Sequence, residues 1–219
     1  MLLYYITGRK GLAGTDAQQR RQLLVRIGKA AQAGVDYIQL REKDLAPRDL
    51  ERLARDAVRM VRDRSATTKL LINGRADVAL AAGADGVHLP AGEITASEVH
   101  ALWMQAGDHE PTIAVSAHTV DEVRVAATQG TNFVVLAPIF EKAHTDVPAI
   151  GIDALRDACA GSAATGDFAV LSLGGVTLSN ARACLDAGAA GVAGIRLFQN
   201  GDVIETVRRL REMEDAPVP

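Results

Sequence analysis

Cysteine is scarce in this chain, with two among 219 residues, Cys159 and Cys184. Both lie in Ala-rich stretches of helical character. That argues against a disulfide framework and for two small buried hydrophobes in a reducing compartment. No apolar stretch approaches the ~20 residues that a membrane span needs. The opening MLLYYITGRK holds an apolar run too short for the core of a secretion signal, with no basic residue ahead of it. A soluble, cytoplasmic protein is therefore expected. Basic residues form no run, the formal net charge is -3 and the pI is about 6.0, so neither a nucleic-acid partner nor a membrane is indicated. Zinc-type His/Cys spacing, a GxSxG elbow and a P-loop are all missing.

What is present is a repeated octet. It reads AGVDYIQL at 33–40, AGADGVHL at 82–89, QGTNFVVL at 129–136 and AGAAGVAG at 187–194. The second position is Gly each time: Gly34, Gly83, Gly130 and Gly188, spaced by 49, 47 and 58 residues. Each octet follows an Ala-rich amphipathic stretch and opens a β-branched run. Glycine just past a helix, in the left-handed conformation, is the usual C-terminal stop, so each octet marks a helix ending and a strand beginning. Four more apolar runs, at 2–7, 69–73, 112–117 and 168–174, fall between the octets.

Eight strands thus alternate with helices near 18–32, 47–63, 75–82, 95–106, 119–129, 151–161, 178–187 and 202–213. The strands are almost continuously apolar, as strands buried on both faces should be. Strict alternation implies a parallel sheet, and eight units imply one closed (β/α)8 TIM barrel over 1–219. An open doubly wound sheet is the alternative, but no GxGxxG follows the first strand. The tail EDAPVP (214–219) is expected to fray.

In such a barrel, chemistry sits on the loops after the strands. After the first strand come Thr7, Gly8 and Arg9. Gln39, Arg41 and Lys43 alternate at the end of the second, which puts their side chains on one side. Two cations and an amide at a pore mouth, where Val, Ile or Leu is expected, suggest phosphate oxygens as ligand; a rim salt bridge with Glu42 or Glu93 is the structural alternative. Asn73 ends the third strand, His88 the fourth, and Ser116 and His118 the fifth; capping of the next helix competes with function for His118. His144 lies in the loop after the sixth strand. Gly174 and Gly175, ahead of Thr177, open the seventh helix and, with Gly194, Ile195 and Arg196 after the eighth strand, form a candidate phosphate site. His100 and His109 are expected to be solvated and Trp103 to pack.

Taken together, YYITGR, YIQLREK, LLINGRADVALAAGADGVHL, VSAHTVDE, APIF, LGGVT and AGAAGVAGIR resemble the thiamin phosphate synthase/TenI family over almost the whole chain. The resemblance implies a barrel that binds small phosphorylated thiazole and pyrimidine ligands. In the synthase reaction a thiazole phosphate displaces pyrophosphate from an aminopyrimidine-methyl diphosphate. Carried over by motif, Gln39, Arg41 and Lys43 meet the pyrimidine and diphosphate, and Asn73 and His88 line the pyrimidine side. Ser116 meets diphosphate, while Gly175 and the Ile195–Arg196 turn hold the thiazole phosphate.

The departures from the family pattern fall on the diphosphate side. The synthase motif I-N-D is Ile72–Asn73–Gly74 here, and H-L-G-Q-E-D is His88–Leu89–Pro90–Ala91–Gly92–Glu93, which leaves Glu93 as a lone metal candidate. The P-T-x-T-K loop is replaced by Glu141–Lys142–Ala143–His144–Thr145. These changes resemble the TenI-like branch, whose members include thiazole phosphate tautomerases and need no metal. The acid/base histidine expected there aligns with Pro138, so His144 or His118 would have to serve. Mg²⁺ is expected only if the chain is a synthase. A non-catalytic phosphate-binding or regulatory barrel is the third alternative, and a homo-oligomer is left open.

Overall fold

The computed structural model describes residues 1–92, 94–106, 109–141, 147–162 and 168–215. Among them run β1 (Leu2–Ile6), β2 (Tyr37–Leu40), β3 (Lys69–Asn73), β4 (Gly86–Leu89), β5 (Thr112–Ala117), β6 (Phe133–Leu136), β7 (Ala169–Ser172) and β8 (Gly191–Gly194). Each pairs in parallel with the next, and β8 closes on β1 from Leu2↔Gly191 to Tyr5↔Gly194. The helices are α1 (Asp16–Gln32), α2 (Pro47–Arg62), α3 (Ala76–Ala82), α4 (Ala96–Ala106), α5 (Val120–Ala127), α6 (Gly151–Ser162), α7 (Ala181–Asp186), α8 (Arg196–Gln199) and α9 (Val203–Asp215). This is a single (β/α)8 TIM barrel, as the alternation of the sequence requires. Among the described residues no helix is long and apolar enough to cross a membrane.

The period-two geometry of the strands divides the apolar residues into two cores. Leu3, Tyr5, Ile38, Leu40, Leu70, Ile72 and Val87 point outward under the helices. Tyr4, Ile6, Leu71, Ala114, Phe133, Val135, Leu171 and Ala193 point into the barrel. The inner core is not purely aliphatic. Tyr37 and Phe133 pack with centroids 4.7 Å apart and planes tilted by 41°, and Tyr4 meets Phe133 edge-on at 5.2 Å and 89°. Rings plug the barrel floor because small neighbours, Ala114, Ala169 and Ala193, leave room for them.

Helix α2 shows how the outer layer is held. Leu50, Leu53, Ala54, Ala57, Val58 and Val61 recur at helical spacing and are buried, and Pro47 sits in its first turn, where its missing N–H costs nothing. Helix α1 starts two residues before expectation, since Thr15 and Gln18 form a reciprocal capping box.

The octet glycines all adopt positive φ, from 68° at Gly83 to 96° at Gly188. Their fourth position carries a second device. Asp36 Oδ2 accepts the Leu3 N–H, Asp85 Oδ2 accepts the Leu70 N–H and Asn132 Oδ1 accepts the Ile113 N–H, each at 2.7 Å. Three of the four octets thus stitch the start of their own strand to the strand before it. The fourth octet has Ala190 at this place and lacks the clamp.

Of the tail expected to fray, Glu214 and Asp215 still belong to helix α9, with Glu214 paired to the Met1 amino group and Arg211 bound to Asp36 Oδ2 at 2.8 Å, while residues 216–219 lie outside the described residues. The helix expected near 202–213 is α9, and a short helix not read from the sequence, α8, precedes it and ends at Asn200, whose backbone is extended. Cys159 and Cys184 are both buried and form no disulfide with each other. Trp103 is fully buried, with the exposed His109 ring edge-on to it at 5.8 Å.

Candidate active site

The polar strand ends converge on one cavity of about 1150 Å³ at the C-terminal mouth of the barrel. Gln39, Arg41, Lys43, Asn73, His88, Ser116, His118, Gly174, Gly175, Gly194, Ile195 and Arg196 all line it. These twelve residues, all singled out from the sequence, are therefore brought together in one place, while Thr7 and Arg9 from the end of β1 are not part of its lining. Glu93, Lys142 and His144 lie outside the described residues.

The floor is uncharged. Gln39 is buried, and its Nε2 donates to Asn73 Oδ1 at 3.4 Å. His88 is 3% exposed, with Nδ1 at 3.1 Å from the Tyr4 hydroxyl and Nε2 at 2.8 Å from Ser116 Oγ. Burial, helped by the Arg41 charge, pushes the His88 pKa down to about 3, so the ring is neutral near pH 7. Burial likewise raises the Tyr4 phenol well above its ordinary value.

Above this floor the cations sit on two sides. Arg41 and Lys43 rise from the β2–α2 loop, and Arg196 starts α8. Beneath them a buried network fixes the β2–α2 loop. Arg9 is 3% exposed and binds Glu42 at 3.0 Å, Asp44 at 2.6 Å and Asp16 at 3.0 Å. Glu42 also accepts from Thr7 Oγ1 at 2.7 Å, and Thr7 Oγ1 in turn accepts the Arg41 backbone N–H at 2.9 Å. Glu42 is thus consumed by Arg9 and Thr7, which removes it as the partner of the suggested rim salt bridge, and Arg41 and Lys43 line the cavity. Arg9, read from the sequence as a polar rim group, is instead the anchor of that loop.

His118 does not cap a helix. Thr119 is the α5 N-cap, accepting the Glu122 N–H. The His118 Nδ1 lies 2.8 Å from the Ala137 carbonyl oxygen, which can only accept, so Nδ1 carries a proton, and in the neutral tautomer Nε2 is the nitrogen with the lone pair. Pro138, where a family histidine was expected, is buried and is not part of the cavity lining.

The β7–α7 segment differs from the direct helix start expected after Gly175. Asn180 Oδ1 takes the Thr177 N–H at 2.7 Å and Asn180 Nδ2 donates to the Gly175 carbonyl at 3.0 Å, which makes a turn and delays α7 to Ala181. Gly175 has φ +68°, and a Cβ there would lie 2.6 Å from Phe140 Cβ, so only glycine fits. The backbone N–H groups of Gly175, Val176, Arg196 and Leu197 find no protein acceptor among the described residues. They border the cavity and can serve an anion.

Asn200, Thr206 and Arg209 line the cavity too and went unread. Only the Arg209 charge on one face of the last helix could have signalled them. A hard divalent cation needs oxygen donors, commonly carboxylates. None of the described lining residues is an Asp or Glu, and the nearby Asp77 is bound by Arg75 at 2.8 Å and 2.5 Å. No group of three metal-capable side chains occurs among the described residues. They do not fit Mg²⁺.

Comparison with known proteins agrees with the geometry. The family described as thiamine monophosphate synthase matches residues 3–198. A thiamine-phosphate synthase of Moorella thermoacetica is 34% identical over 197 residues, covering 88% of this chain and 89% of that protein. One from Roseiflexus sp. is 34% identical, covering 88% and 75%. The solved thiamine phosphate pyrophosphorylase from Pyrococcus furiosus superposes with TM-score 0.79 at 24% identity, covering 97% of this chain and 94% of its own, a likeness of fold. A barrel with this mouth, matched along nearly all of its length, is a member of the thiamine monophosphate synthase family.

Proposed function

We propose that this protein is a thiamin phosphate synthase, joining an aminopyrimidine-methyl diphosphate to a thiazole phosphate with release of pyrophosphate. The observation that carries this reading is a single large cavity with anion-binding groups on two sides and a neutral polar floor between them. Arg41 and Lys43 would take the diphosphate, and the Gly175 and Arg196 backbone would take the thiazole monophosphate. Gln39, Asn73 and His88 would orient the pyrimidine.

The chemistry then asks little beyond charge and placement. The bond from the methylene carbon to diphosphate oxygen breaks with its electron pair on oxygen, and Arg41, Lys43 and the Ser116 hydroxyl stabilise the charge that collects there. The thiazole nitrogen lone pair forms the new carbon–nitrogen bond. No proton needs to move in this step, which suits a floor whose histidine is neutral. Holding both substrates by their phosphates makes the encounter intramolecular.

The local departures in the β3 and β4 motifs pointed to the TenI-like branch. The names of the relatives favour the synthase instead. One observation keeps the tautomerase as a second reading: His118 offers a bare Nε2 at the cavity, a base for moving a proton on the thiazole.

The test is a coupled assay with purified protein, both substrates and thiamin phosphate as the readout, run with Mg²⁺ and with chelator. Turnover supports the synthase. No turnover, together with isomerisation of thiazole phosphate that is lost in His118→Ala, replaces it by the tautomerase. Thermal stabilisation by thiazole phosphate without either reaction identifies a binding barrel.

A further inference from the structure

We infer that Tyr4, from beneath the site, fixes the tautomer of His88 and thereby makes Ser116 a hydrogen-bond donor toward the cavity. The Tyr4 hydroxyl is enclosed in the barrel, and its one partner among the described residues is His88 Nδ1 at 3.1 Å. A buried phenol carries one proton and must place it somewhere. Were Nδ1 protonated, it would donate to the phenol oxygen, and the phenol proton would be left without an acceptor in an apolar interior. Nδ1 is therefore the acceptor, and the neutral ring holds its proton on Nε2.

From Nε2 the direction propagates. Nε2–H donates to Ser116 Oγ at 2.8 Å, so the Ser116 proton is not spent on the histidine. Ser116 lines the cavity, and its hydroxyl proton points the bond outward to whatever is bound. The opposite tautomer would draw that proton inward and present lone pairs to an anion. Tyr4 cannot swing away to relax the constraint, because its ring is wedged edge-on against Phe133 at 5.2 Å and Tyr37 at 6.1 Å. A neutral His88 agrees with the downward push of burial on its pKa. Tyr4 touches no ligand and acts through His88, so it is a positioning residue. The inference rests on the proposed function only for the identity of the anion that Ser116 meets.

The test has two parts. Long-range ¹H–¹⁵N correlation spectra of the ligand-free protein report which His88 nitrogen is protonated. A protonated Nε2 with a bare Nδ1 is expected, and a protonated Nδ1 overturns the inference whatever the protein binds. Pyrophosphate is then titrated into wild type, Tyr4→Phe, Ser116→Ala and the double variant. Tyr4→Phe should shift the tautomer population and weaken binding about tenfold, the scale of one hydrogen bond to a charged group. The double variant should bind no more weakly than Ser116→Ala, because both changes remove one donor. Additive losses, or an unchanged tautomer in folded Tyr4→Phe, overturn the relay. If Tyr4→Phe does not fold, the wild-type spectrum alone decides. Wild type that fails to bind pyrophosphate refutes the proposed function and leaves the tautomer to the spectrum.

Discussion

Replacing Arg9 by Met should be among the most damaging single changes outside the cavity. Arg9 and the Glu42 side chain are 3% and 2% exposed. The substitution keeps the aliphatic volume and removes the countercharge. Glu42 would keep the Thr7 hydroxyl and the Arg9 backbone N–H, yet its charge would be buried and unpaired, which costs about 3–5 kcal/mol. For a chain of this length each kcal/mol moves Tm by about 2–4 °C, so a fall of ~6–20 °C is expected. Arg124→Ala is the control, since the Arg124–Asp121 pair is exposed on both sides and should contribute under ~1 kcal/mol. Urea midpoints at constant slope read both.

The pH dependence adds a sign. Hydrogen bonds from Arg9 are the main cause holding Asp44 and Asp16 below the usual carboxylate range. Depressed folded-state values give stability that is fully present above about pH 3.9 and is lost as pH falls through the folded values. Wild type should therefore weaken in acid more steeply than Arg9→Met, and the gap between them should close. An Arg9→Met protein within ~1 kcal/mol of wild type, with the same acid profile, would refute the reasoning.

Two further outcomes follow from the same hydrogen-bond inventory. Asp85→Ala should cost about 1–3 kcal/mol by orphaning the Leu70 N–H, while Asp85→Asn should restore most of it, because Asn132 does the same work; equilibrium unfolding measures both. Arg41→Ala should raise the KM for the diphosphate substrate about tenfold or more and leave that for thiazole phosphate nearly unchanged, read from steady-state kinetics with each substrate varied in turn.

Much of this was legible in the sequence because the constraints are local. The glycines at 34, 83, 130 and 188 were readable since a left-handed residue after a helix admits little else. Gln39, Arg41 and Lys43 were readable as a group since they alternate at the end of an apolar run, although Arg41 and Lys43 lie past Leu40 in the loop that Arg9 and Thr7 fix. Arg9 was misread because its three carboxylates come from two other segments, and nothing near Arg9 in sequence distinguishes a buried guanidinium from a solvated one. Tyr4 looked like one more apolar strand residue; its role exists only through His88, 84 positions away. The late start of α7 depends on one amide, Asn180, competing for the Thr177 N–H. The TenI-like reading drew on less of the chain, and the names of the relatives favour the synthase over it. Gly74 and Pro90 are departures in short motifs, and they weighed more in the reading than the likeness of the whole chain.

The octet holds one signal that was visible and unread, and it makes a gain-of-stability test. Asp36, Asp85 and Asn132 occupy its fourth position, and a polar residue at the mouth of an apolar run calls for a partner. In the fourth octet Ala190 replaces them, and the equivalent strand amide, Val170 N–H, finds no acceptor among the described residues. The backbone there is otherwise the same: Ala190 N–H donates to the Val170 carbonyl at 2.9 Å, as Asp85 N–H does to Leu70 at 2.9 Å. An Asp at 190 would therefore meet a waiting donor in an existing frame. Ala190 is half-buried, so a carboxylate keeps part of its hydration, and a hydrogen bond between an amide and a charged group is worth ~1.5–3 kcal/mol at best. Side-chain ordering offsets part of that, which leaves about 1 kcal/mol for Ala190→Asp in urea unfolding at neutral pH. The gain should disappear in acid, as the carboxylate protonates. A loss of stability, or a gain that persists in acid, would mean that the clamp is not a transferable part of the repeat and that the three observed bonds arise from their separate surroundings.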